Sequence, residues 1–260
     1  MKKGLGIIVV LVLLVSGGAW YMLTGVGDFI RTQIEQQGSK YLSTTVSVFK
    51  VDLALTEGRM NISDLDIKNP KGFSKEDAFS VDMITLDLGE VVSEPYVIQT
   101  INIDAPEILY EVDKDGKGNL IVLKNNLAAS LPNTKDKSVP ASQDVANPSV
   151  IVENITVSNV RLRLNFEKLP TGDLNLDTKT YEVTLPTFNA GPLGQPNGMP
   201  ADQLGIAVVN AMLDNIITAA KSEMKKRLTE EAKKKAKQEL EKQKSKLLDK
   251  ASDKLKSLFN

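Results

Sequence analysis

The 260-residue sequence contains no cysteine and no histidine. The first absence excludes a disulfide framework and any thiol nucleophile, and it fits either redox compartment. Together the two remove imidazole acid–base chemistry and almost every zinc, copper or haem site. Paired carboxylates do occur, Asp64 with Asp66 and Asp113 with Asp115, but spacing in sequence does not set two acids across a cleft. No motif marks a Ser-Lys nucleophile. The expectation is a protein that is not an enzyme and holds no cofactor or metal.

Large net charge is also missing, at −1 overall, yet the balance is uneven. Residues 1–220 carry 18 basic and 26 acidic side chains, whereas residues 221–260 carry 14 basic and 7 acidic. The body should not attract nucleic acid, and the C-terminal part is a cationic arm. Apolar residues make up 42% of the chain, enough for one sizeable core.

Lys2 and Lys3 precede an uncharged apolar run from Gly4 to Val26 that includes Leu5, Ile7, Ile8, Val12 and Leu14. As a helix it is long enough to cross a hydrocarbon core of roughly 30 Å, with Trp20 and Tyr21 near the far interface. Gly17, Gly18 and Ala19 are small enough for signal-peptide cleavage, but the run continues through Met22 and Leu23. An uncleaved anchor over residues 1–27 is the favoured reading, with the lysines cytoplasmic and the body exported.

Period-two alternation dominates from Val46 to Val112 and predicts strands with one apolar face. Phe49, Val51, Leu53 and Leu55 share one parity, Met60 and Ile62 follow, and Glu57-Gly58 between them predicts a hairpin. Ile84, Leu86 and Leu88 mark a third strand, Ile101 and Ile103 a fourth, and Ile108, Tyr110 and Val112 a fifth. Three segments echo one another, beginning at Asn61, Asn102 and Asn154, each with an apolar pair, a break and resumed alternation. The apolar parity flips from Ile62 to Leu65 and from Val157 to Val160, as bulges that bend a sheet would cause.

Asp28 is a candidate cap for a short helix running to Leu42. Asp113 to Gly118 has calcium-loop spacing, but Lys117 and Lys124 fall where oxygen ligands are needed, so a turn is expected. Behind Asn119, a residue type suited to capping, the spacing of Leu120, Leu123 and Leu127 predicts a helix packed on one end of the sheet. Residues 131–148 read as a mobile loop. Val160, Leu162, Leu164 and Phe166 then alternate with Arg161 and Arg163, a solvated outer face. From Ala201 the pattern is helical to the end, about 90 Å if continuous. Its first part, to Ala220, is apolar enough to pack on the sheet. Residues 221–260 suit a solvated helix, a coiled-coil arm or a basic surface helix.

The N-terminal run, the stretch VFKVDLALTEGRMNISDLDIKNPKGFSKEDAFSVDMITLDLG and the later INIDAPEILYEV resemble the N-terminal module of AsmA-family envelope proteins of Gram-negative bacteria. The likeness is clear over residues 1–127 and looser from Val150 to Ala190. It implies an inner-membrane anchor, a periplasmic taco-shaped (AsmA/chorein-like) β-sheet with a hydrophobic concave face, and a role in phospholipid transport or outer-membrane homeostasis. Family members that bridge the envelope are far longer; here one module's worth of sheet is followed by a charged helix.

The expected fold is α+β: a transmembrane helix at 1–27, a strongly curved antiparallel sheet domain at 28–200, and an amphipathic charged helix at 201–260. The expected function is lipid handling or envelope homeostasis through a β-groove lined by Phe49, Val51, Leu53, Leu55, Met60, Ile62, Ile84, Leu86, Leu88, Ile101, Ile103, Val160, Leu162 and Leu164. The alternative is a tethered scaffold whose long helix binds a protein. Expected partners are the inner membrane, phospholipid, and an envelope protein through residues 221–260, with no nucleic acid.

Overall fold

The computed structural model describes residues 25–88, 94–130, 149–170 and 178–258. The anchor residues Leu5, Ile7, Ile8, Val12, Leu14, Trp20 and Tyr21, and the loop 131–148, lie outside the described residues.

Helix α1 (Val26–Leu42) begins one turn earlier than expected, with Gly25 as its N-cap and no side-chain cap. Asp28 sits instead in the first turn, where its charge suits the helix N-terminus and it pairs with Arg31 at 3.6 Å. The helix lies along strand β1 (Val46–Ala54). The Val46 amide donates to Ser39 Oγ at 2.9 Å and the Val48 amide to Glu35 Oε1 at 3.0 Å. A Cβ at Gly27 would come within 2.3 Å of the Val51 carbonyl oxygen, so only glycine permits this approach. The helix thereby supplies partners for backbone groups that a sheet edge otherwise leaves open.

The sheet continues through β2 (Arg59–Lys68), β3 (Asp77–Asp87), β4 (Tyr96–Asp104), β5 (Glu107–Glu111), β6 (Ser149–Ser158), β7 (Arg161–Asn165) and β8 (Thr180–Thr184). Two-residue strands β9 (Phe188–Asn189) and β10 (Met199–Pro200) complete it. The expected hairpin joins β1 to β2, pairing Leu53 with Met60 across Gly58 at φ 61°. The expectation of a wholly antiparallel sheet is corrected, because β4 pairs with β6, and β5 with β7, in parallel. After β5 the chain does not turn back as a hairpin. It crosses over through helix α2 (Asn119–Ala129) and returns in its original direction, as parallel pairing requires.

A single crease runs across this sheet. Asp64, Ala105 and Asn159 have φ of 48°, 50° and 52°, in the left-handed region. Register sets Asp64 in line with Phe49 and Asp82, and sets Ala105 beside Asn159. The buried parity turns over at this line: from Val46 and Val48 to Val51, from Phe79 and Val81 to Leu86 and Leu88, and from Ile155 and Val157 to Val160 and Leu162. No extra residue is inserted, since Val48–Leu65 and Lys50–Ser63 keep one register on either side. Neighbouring strands flip together instead, which is why the three echoing segments share a break.

Helix α3 (Ala201–Leu258) is one continuous element of 58 residues. Its first part, with α1 and α2, covers the apolar face.

Candidate functional site

The apolar face is built as ladders that cross the strands in register. One runs Val51, Ile62, Ile84, Ile103 and Val157, and the next runs Leu53, Met60, Leu86, Ile101 and Ile155. Beyond the crease a third joins Val46, Ile67, Phe79, Ile108, Leu162 and Val183. Cross-strand apolar pairs of this kind are the unit of sheet stability.

Most of the groove candidates lie on this face. Val51, Met60, Ile62, Leu86, Leu88, Ile101, Ile103, Val160, Leu162 and Leu164 are buried in one core, and Leu53 and Ile84 are partly buried against it. The Leu55 side chain lies outside the described residues. Phe49 is a correction: it is 73% exposed on the opposite face, because the parity turns over beside it. Reading Phe49, Val51, Leu53 and Leu55 as one set ran through the crease. Val46 and Val48, buried on the near side, are the residues that reading displaced.

The same face is covered. Ile30 and Leu42 from α1, Leu120, Leu123 and Leu127 from α2, and Leu204, Met212, Ile216 and Ala220 from α3 are all buried in the same cluster. Lys124 on α2 forms an ion pair with Asp214 on α3, holding two of the covering helices together. The best 18-residue window in α3 has a mean hydropathy of 1.3, long and apolar enough to cross a membrane, and a third of it is buried. The outer face of the sheet carries ionic recesses and polar ones. One, of about 690 Å3, includes Glu76, Asp77, Glu107, Arg161, Arg163 and Glu182. Arg161 pairs there with Glu107 and Arg163 with Glu76, so both arginines are committed to the sheet's own outer face. The nearby Asp66 carboxyl is raised above its ordinary pKa by burial, with Asp77, Asp64 and Asp82 adding to the effect and Lys68 opposing it.

A buried polar knot closes one end of the sheet. Asn119 donates to Leu109 O and to Asn69 Oδ1, both at 2.7 Å, and accepts the Glu111 amide at 3.0 Å. Its expected capping role falls to Gly118; a Cβ there would come within 2.5 Å of the Tyr110 hydroxyl. Glu111, 2% exposed, accepts from Lys168 Nζ at 2.8 Å and from the Ser74 amide at 3.0 Å. Burial raises its pKa, but the Lys168 and Ser74 hydrogen bonds outweigh that and hold the carboxyl below its usual value. Asp113, the first acid of the loop with calcium-like spacing, accepts the amides of Asp115 and Lys117 at 2.9 and 2.8 Å, the arrangement of a side-chain-closed turn.

The other notable surface is the distal part of α3. Arg227 still packs over the Tyr181 ring, 5.6 Å from its centroid. Beyond it, Leu240, Leu247 and Leu248 are 53%, 67% and 71% exposed, surrounded by lysines.

Neither a curated protein nor a solved structure matches the chain. A family model does, over residues 1–255, so the likeness extends past the sheet into α3. A match over nearly the whole chain decides the assignment: the protein belongs to the AsmA family, a family of bacterial envelope proteins.

Proposed function

We propose that this chain is a scaffold of the bacterial envelope, anchored in the inner membrane with its body in the periplasm, which contributes to envelope homeostasis by presenting α3 to another envelope component. The observation that carries this reading is the division of α3. Among the described side chains Ala220 is its last buried residue, yet the helix runs on to Leu258, roughly 57 Å further. Such a length contributes little to the core, since helix stability in proteins comes mostly from packing one face. A projecting helix, cationic and set with exposed leucines, is built to meet something else.

The test is genetic. A strain producing the chain ended at Leu228 should resemble the deletion strain in sensitivity to detergent and to bulky antibiotics. If the shortened chain restores the barrier as well as the full chain does, the arm has no such role.

A second reading, lipid handling, is favoured by the apolar ladders together with the partly exposed apolar window of α3. Acyl chains would enter when α3 lifts from the sheet. Because the chain has no cysteine, a pair introduced at Lys124 and Asp214 and joined by a short bis-maleimide would hold α2 and α3 together. Mass spectrometry should then find phospholipid with the free protein but not with the joined one. Equal lipid in both would mean that entry does not need α3 to lift, and lipid in neither would end this reading.

A further inference from the structure

Resting on the scaffold reading, we infer that the component met by the distal part of α3 is an anionic phospholipid surface. Between residues 233 and 251 the helix carries eight lysines and three acids. At 100° per residue, Leu240, Leu247, Leu248 and Ala251 fall in a sector roughly 100° wide. Lys233, Lys237 and Lys244 are the charged residues of this sector, whereas Glu239 and Asp249 fall on the far side with Lys235, Lys242, Lys246 and Lys250, and Glu241 and Lys234 lie just outside its border. Lysine stems can lie along an apolar surface while their ammonium groups reach phosphate, so the mixture suits a helix resting in a headgroup layer.

The same arrangement is poor for other partners. A heptad seam through Leu240 and Leu247 would bury Lys233 and Lys254 in either frame, together with Gln243 and Lys250 or with Lys237 and Lys244, which argues against pairing with a second copy. No tryptophan, tyrosine or phenylalanine lies between 225 and 258 to anchor a protein interface. Shallowly inserted leucines within a cluster of lysines need no shaped pocket, only a negatively charged interface.

The test uses the full chain reconstituted in phosphatidylcholine vesicles and mixed with separate vesicles containing phosphatidylglycerol, with clustering followed by light scattering. Clustering is expected with the phosphatidylglycerol vesicles and not with pure phosphatidylcholine. It should disappear in about 0.5 M NaCl, where charge attraction reaches only a few ångströms. The combined Lys233→Gln, Lys237→Gln and Lys244→Gln variant should need at least tenfold more protein. Its altered side chains cover no part of the core, and circular dichroism would check that its helix content is retained. The inference is overturned if the full chain clusters neither kind of vesicle, or if ending the chain at Leu228 leaves clustering unchanged. Should clustering be absent while the shortened chain still fails to restore the envelope barrier, the scaffold reading stands and a protein partner replaces the lipid. Should clustering depend on the arm while the shortened chain restores the barrier, the lipid contact stands and the scaffold reading falls.

Discussion

At the scale of single residues, the polar knot around Asn119 and Glu111 shows how little of a buried network is visible in a linear pattern. Asn119 stands where a cap is expected, and its preference for helix starts is real. Its side chain instead satisfies groups from β5 and from the turn after β2, which only the folded topology brings together. Asn119→Ala would strand the Glu111 amide and the Leu109 carbonyl in the interior, so a loss of about 3 kcal/mol is expected in urea unfolding. Glu111→Gln should cost about 2 kcal/mol near neutral pH, a figure reduced because Lys168 is half exposed and partly screened. The pH dependence follows from the direction of the shift. The folded-state pKa lies below the ordinary 4.5, so the carboxylate contributes fully above that value and loses its contribution as pH falls through the folded-state pKa. Melting curves taken as the pH is lowered from neutrality to below 4.5 should therefore show the gap between wild type and Glu111→Gln narrowing. A gap of constant size would remove Glu111 as the cause.

At the scale of elements, strand and helix positions were legible because alternation and turn residues act locally. The β4 and β5 pattern, the helix opening at Asn119 and the long helix from Ala201 all lie where periodicity places them. The parity flips at Leu65 and Val160 were visible too, but their cause was not. A bulge and a left-handed residue leave the same trace in one strand, and only pairing shows that neighbouring strands turn over together. Parallel pairing was equally hidden, since it depends on the return path taken after β5. The crease makes a testable demand at Ala105, whose φ of 50° is costly for any side chain. Ala105→Gly should raise stability by about 0.5 kcal/mol, the relief of strain being partly offset by a more flexible unfolded chain. Ala105→Val should lower it by at least about 1 kcal/mol, because a β-branched side chain suits this conformation least. Glycine within a strand normally destabilises, so the sign of the first change separates a crease from an ordinary strand. A lower urea midpoint for Ala105→Gly would argue against it.

At the scale of the whole molecule, alternation states that an apolar face needs a cover but does not say what supplies it. The covering residues were themselves legible, as Leu120, Leu123 and Leu127 and as the apolar start of the last helix. Their assignment to this face required the fold. The result divides α3 into a part that the domain needs and a part that it does not. Leu204, Met212, Ile216 and Ile217 are buried, and at about 2 kcal/mol for each buried side chain they contribute about 8 kcal/mol. That is comparable with the whole stability of a typical domain, about 5–15 kcal/mol. Ending the chain before Ala201 should therefore yield a protein that aggregates or binds a hydrophobic dye, with its apolar ladders uncovered. Ending it at Leu228 keeps every buried residue of the helix and the Arg227 contact with Tyr181, so the melting temperature should move by less than about 2 °C. A large fall for the longer form would mean that the distal helix lies on the domain after all. Equal melting of the full chain and a form ended before Ala201 would mean that α3 is not the cover, and the face would then be free to take lipid without any helix moving.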